Sequence, residues 1–138
     1  MLPINVNDLL EKNRVESNRI EFKEGWNPVR IYQSICAFAN DIDNLGGGYI
    51  LVGVKEDNGK VVRPVCGLTE EELEDIQKKM IGFNNLIDPY YRPRTSIEPV
   101  DGKNIFVIWA PMGEERPYAV PQDITAKDKK YKYYIRSN

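Results

Sequence analysis

At 138 residues the chain has the length of one packed domain, able to bury about two thirds of the surface its unfolded form exposes without disulfide or metal staples. Hydrophobic residues at 41% and charged residues at 29% exclude general disorder, and 19 Lys plus Arg against 21 Asp plus Glu confine any anion-binding surface to a local patch. The lack of histidine removes Ser-His-Asp and Cys-His catalysis, His-ligated zinc and imidazole pH switches.

In chain order, Asn5 or Asn7 caps a short helix through about Asn13, with Val6, Leu9 and Leu10 on one face. Residues 19–24 alternate as a half-buried strand, Ile20 and Phe22 inward and Arg19, Glu21 and Lys23 on the polar face. Asn27-Pro28 opens a helix to about Asn40 that buries Ile31, Tyr32, Ile35, Phe38 and Ala39. A polar loop at residues 41–44 leads into Gly46-Gly47-Gly48. Residues 49–54 do not alternate, so they read as a central strand covered on both faces. The Asn58-Gly59 turn returns the polypeptide into a short strand at residues 60–62.

Thr69 with Glu72 forms a capping box that opens a helix through about Met80, carrying Leu73, Ile76 and Met80 inward. Its acidic first turn faces the positive end of the helix dipole, so that acidic run is helix chemistry. Arg94–Val100 and residues 104–110 flank Asp101-Gly102-Lys103 as a hairpin. Residues 111–125 read as a Pro-punctuated loop and residues 131–136 as a last strand. The expected fold class is α+β: a mixed, largely antiparallel sheet with about three packed helices. Cys36 and Cys66 match no C-x-x-C pattern and read as two reduced, buried thiols of a cytoplasmic protein. No secretory or membrane-spanning segment is expected.

Three groups carry potential chemistry. Glu16, Glu21, Lys23, Glu56 and Asp57 supply carboxylates from three places. If the first and central strands are neighbours, Glu16, Glu21 and Asp57 or Glu56 suit Mg²⁺ or Mn²⁺ and phosphodiester hydrolysis, with Lys23 stabilising developing charge. The competing reading is solvated strand residues and turn chemistry. Gly46, Gly47 and Gly48 could approach a phosphate with backbone N–H groups. They lack the P-loop spacing and precede a strand, which favours a sharp turn with close packing and gives ATP no support. The third group is Lys127, Lys129, Lys130, Lys132, Tyr134 and Arg136, with Arg19 and Lys23 as a second cluster. Cations neutralise phosphates and tyrosine faces stack on exposed bases, while a lysine-protected edge strand reads equally well.

Residues 17–24 (SNRIEFKE), 37–40 (AFAN), 47–54 (GGYILVGV), the turn at 57–59, Cys66-Gly67-Leu68 and Tyr133-Tyr134-Ile135-Arg136 occur in one order over nearly the whole sequence. Together they resemble the Schlafen/AlbA-like DNA-binding domain. That domain forms the N-terminal part of many bacterial proteins described as transcriptional regulators or helicase-related proteins, some labelled divergent AAA ATPases. The resemblance implies a mixed α/β fold and nucleic-acid binding, with DNA ahead of RNA. It also implies that residues 1–138 are followed by further domains of a longer protein. In some eukaryotic Schlafen members it implies an RNA endonuclease with three carboxylates, which Glu16, Glu21 and Glu56 or Asp57 match in spacing. The stretch 41–44 is about four residues longer than the common form and places two acids beside the glycine loop.

The expected function is a nucleic-acid-binding domain of a transcriptional regulator, needing no cofactor for binding. The alternatives are a Mg²⁺- or Mn²⁺-dependent nuclease and a protein-interaction or homodimerisation module.

Overall fold

In a computed structural model, which describes residues 2–12 and 17–136, the polypeptide runs through three α-helices and eight strands. The order is α1 (Val6–Leu10), a one-turn 3₁₀ helix (Ser17–Arg19), β1 (Ile20–Lys23), α2 (Pro28–Asn40), β2 (Gly48–Val52), β3 (Glu56–Asp57), β4 (Lys60–Val61), α3 (Glu70–Asn84), β5 (Arg94–Val100), β6 (Lys103–Ala110), β7 (Ala119–Pro121) and β8 (Tyr131–Tyr133). The main sheet is ordered β1-β2-β6-β5, with β1 parallel to β2 and the other pairs antiparallel. The α+β class and the mixed, mostly antiparallel sheet read from the sequence are therefore correct.

The helices form where local chemistry allows. Asn27 accepts from the Arg30 N–H at 3.2 Å, and Pro28 occupies the first turn of α2. Asp41, in the left-handed region at φ 35°, stops that helix. The Thr69–Glu72 box closes both ways at the start of α3, at 2.9 and 3.1 Å. Asp101 (φ 54°) and Gly102 (φ 73°) make the tight turn between β5 and β6.

The sheet separates two apolar layers. Ile50, Val52, Phe106 and Ile108 face α2 and α3, joining Ile31, Tyr32, Ile35, Phe38, Ile76 and Met80. Ile20, Tyr49, Leu51, Ile105 and Val107 face the other way, onto Leu9 and Leu10 of α1. All five residues of β2 are buried, as their unbroken apolar run predicts.

Several local expectations change. The central strand ends at Val52, where Gly53 turns the backbone with φ 98°, so Glu56 and Asp57 belong to a separate hairpin and do not end β2. The loop expected at 111–125 contains β7, and the last strand is shorter than 131–136; β7 and β8 pair as a small sheet of their own. The first helix ends at Leu10. Cys66 is exposed, and only Cys36 of the two free thiols is buried.

Candidate functional site

β1 is an edge strand whose alternation sends Glu21 and Lys23 toward α2. There one carboxylate gathers two hydrogen-bond donors and a nearby cation. Glu21 accepts from the Ser34 hydroxyl at 2.6 Å and from Arg136 Nη1 at 2.9 Å, with Lys23 Nζ 3.7 Å away. Arg136 also donates through Nε to the Asn18 carbonyl at 3.0 Å and lies 4.6 Å from the Phe38 ring centre. The segment after β8 is thus held against β1.

Asn40 at the end of α2 fixes the same segment from inside. Its Nδ2 donates to the carbonyls of Tyr118 (3.0 Å) and Tyr134 (2.8 Å), and its Oδ1 accepts from the Tyr118 N–H at 2.6 Å. One side chain thus bonds three backbone groups, the Tyr118 N–H and the carbonyls of Tyr118 and Tyr134. Cys36, one turn earlier, donates to the Tyr118 carbonyl at 3.2 Å. Burial pushes its thiol up to about 11, which favours the protonated form.

Between α2 and the C-terminal segment this arrangement leaves a continuous open groove. One part, of about 520 Å³, is lined by Arg30, Gln33, Asp128, Lys130 and Tyr134 among others. The adjoining part, of about 200 Å³, shares Arg30, Gln33 and Tyr134 and adds Glu21, Lys23 and Arg136. Tyr134 is half-buried, and burial raises its phenol above the ordinary value, so it presents a neutral ring.

The predicted cations divide into two kinds. Arg19 is turned inward, its Nε donating to the Gly47 carbonyl at 2.8 Å. Lys129 closes its own loop, donating to the carbonyls of Ile124 (3.3 Å) and Ala126. Arg136 is committed to Glu21. Lys127, Lys130 and Lys132 are exposed. Lys130 and Tyr134 meet on the groove as strand alternation predicts. Arg30 was missed by the sequence reading. The polar stripe Arg30, Gln33 and Ser34, at i, i+3 and i+4 of α2, carries the signal.

Among the described residues the candidate acids do not converge. Glu56 pairs with Lys12 at 2.9 Å, and Lys12 lies 5.5 Å from the Phe22 ring, on the α1 side of the sheet; Glu21 is on the α2 side. Asp57 lies beside Glu56 in the exposed β3–β4 hairpin. Glu16 lies outside the described residues. Among the described residues no three Asp, Glu or Cys side chains form a group able to hold a metal ion.

The glycine triplet packs tightly. A Cβ on Gly48 would overlap the Phe38 ring, and one on Gly47 the Ala110 carbonyl. The N–H groups that could cradle a phosphate are already taken: Asp41 accepts from Leu45 (2.9 Å), Gly46 (2.7 Å) and Gly47 (3.1 Å). The longer 41–44 stretch thus supplies its own anion.

The family model for Schlafen, AlbA_2 matches residues 16–138. The protein belongs to this family. Schlafen/AlbA_2 domains are associated with nucleic-acid binding. Among solved structures, the N-terminal domain of a RecG-related protein from Nitrosomonas europaea is similar, with TM-score 0.66 and 28% identity over 98% of this sequence and 90% of that one. The DIP2311 protein from Corynebacterium diphtheriae shares the fold at TM-score 0.52 and 20% identity, over 86% of this sequence and 21% of that one. No functionally curated protein matches the sequence. Among the described residues no helix is long and apolar enough to cross a membrane.

Proposed function

We propose that this Schlafen/AlbA_2 domain binds nucleic acid, DNA ahead of RNA, along the groove between α2 and the C-terminal segment, as the N-terminal part of a longer cytoplasmic regulatory protein. One observation carries the reading. Arg30 of α2 and Lys130, remote in sequence, line one groove together with the neutral ring of Tyr134, beside Asp123 and Asp128. Lys127 and Lys132 extend the positive charge along the exposed edge next to it. Phosphates contact the cations and fix the register of the strand, while Tyr134 offers a face to a base. The similar domain from a RecG-related protein supports the placement within a longer protein.

The test is salt dependence. With about four phosphate contacts, log K falls against log salt with a slope of about −4, and affinity at physiological salt lies in the non-specific range, ~10⁻⁴–10⁻⁶ M. Replacing Lys130 and Lys132 together with Ala shrinks the slope by about 2 and weakens all sequences alike. A flat salt response, or a double variant that binds as the parent does, overturns this interface and favours a protein-interaction module.

A further inference from the structure

A second hollow, of about 460 Å³, opens at the opposite edge of the sheet, between α3 and the start of β5. That volume is within the range of small-ligand sites. Met80, Pro93 and Phe106 contribute its apolar surface, and Gln77, Asn84, Tyr90 and Arg92 its polar groups. In a protein with 21 Asp and Glu, none of the residues lining it is acidic. The acids of α3, Glu70, Glu71, Glu72, Glu74 and Asp75, sit in its first turns, away from the hollow.

Asn84 is 9% exposed. Its Oδ1 accepts from the buried Tyr32 hydroxyl at 2.6 Å, which leaves the Nδ2 donor for a ligand or water at the hollow. Gln77 is held in turn by its Nε2 donating to the Leu73 carbonyl at 3.0 Å, which leaves its carbonyl oxygen available. Tyr90 is 58% exposed and presents a large ring at the rim. Arg92 is exposed beside it, with no ion-pair partner among the described residues.

We propose that this hollow takes a nucleobase together with its phosphate. A planar ring with hydrogen-bonding edges suits fixed amides and stacks on Tyr90, and the adjacent phosphate suits Arg92. An acidic peptide would use the arginine but would have no need of an oriented, open amide donor. The base can come from an unpaired strand or from a free mononucleotide. The strand source rests on the nucleic-acid reading above.

The experiment compares a short oligothymidine with an abasic strand of the same length, and separately adds adenosine monophosphate, following the Asn84 side-chain amide by NMR. The wild type is expected to prefer oligothymidine over the abasic strand by about tenfold. Tyr90→Ala removes that preference. Arg92→Ala weakens both strands and reduces the salt slope by about 1. Lys130→Ala with Lys132→Ala keeps the preference while weakening both. Tyr90 and Arg92 are exposed, so both variants fold, which their thermal unfolding checks. A preference that survives Tyr90→Ala overturns the inference and leaves the α2 groove intact. If the wild type binds neither strand, the nucleic-acid reading fails by itself. An Asn84 amide shift with adenosine monophosphate, lost in Tyr90→Ala, then supports a free-nucleotide site. No such shift overturns the inference as well.

Discussion

Arg136 Nη1 donates to Glu21 Oε1 at 2.9 Å across a separation of 115 residues. Ser34 donates to the same carboxylate and Lys23 lies 3.7 Å from it, so Glu21 stands where a phosphate oxygen would meet the same groups. The pair is partly exposed, which limits its contribution to stability to about 1 kcal/mol or less.

Glu21→Gln should therefore tighten nucleic-acid binding. The neutral amide keeps a partner for Ser34 but releases Arg136 and Lys23 toward the groove. The expected gain is roughly fivefold, equivalent to about 1 kcal/mol, measured by anisotropy at fixed salt. Weaker binding would show that holding the C-terminal segment matters more than freeing its charge. Cleavage of RNA or DNA by the wild type with Mg²⁺ or Mn²⁺, lost in Glu21→Gln, would instead make Glu21 a catalytic group.

The uneven legibility of this site has a physical origin. Strand alternation put Glu21 and Lys23 on one face and Lys130 with Tyr134 on another, because side-chain period depends only on local backbone geometry. The turns at Asn58-Gly59 and Asp101-Gly102 were legible for the same reason. β7 was not: its three residues pair with β8 across a long loop and lie in a stretch punctuated by Pro117 and Pro121. Asn40 was visible only as part of a motif, since its partners, Tyr118 and Tyr134, are brought to it by tertiary packing. The inward turn of Arg19 and the opposite placement of Glu21 and Glu56 likewise depend on which elements cover each face of the sheet.

Asp41 carries the glycine loop. Removing its carboxylate in Asp41→Ala leaves the N–H groups of Leu45, Gly46 and Gly47 without their acceptor. The expected loss is about 3 kcal/mol by chemical denaturation. Added phosphate should raise the melting temperature of this variant more than that of the wild type, since the vacated N–H groups then accept an outside anion. Equal responses would show that the loop rearranges and does not keep the cradle.

Leu51 tests the centre of the sheet. It is fully buried in β2, opposite Phe22 on one side and Val107 on the other. Leu51→Ala should cost about 2–5 kcal/mol, read from the urea midpoint at constant m-value. A loss below about 1 kcal/mol would mean the layer on the α1 side collapses to fill the cavity.

Asp101 gives the fold an acid-sensitive clamp. It sits at the turn between β5 and β6 and receives Arg63 Nε at 2.8 Å, Arg63 Nη2 at 2.6 Å and the Val65 N–H at 2.9 Å. The Arg63 hydrogen bonds first, and then the Val65 N–H, hold its carboxyl below the usual aspartate value. A carboxyl depressed in the folded state stabilises it above the unfolded value of about 4 and loses that contribution as pH falls through the folded value. Asp101→Asn preserves the turn, since Asn adopts positive φ readily, and removes the charge together with one of the two acceptor oxygens. The variant should melt at a lower temperature than the wild type at pH 7. The gap should stay constant down to about pH 5 and close progressively below about pH 4. Melting curves of both proteins across that range decide it: a gap that persists unchanged at the acid end would mean the turn geometry, and not the ionised clamp on residues 63–65, sets the difference.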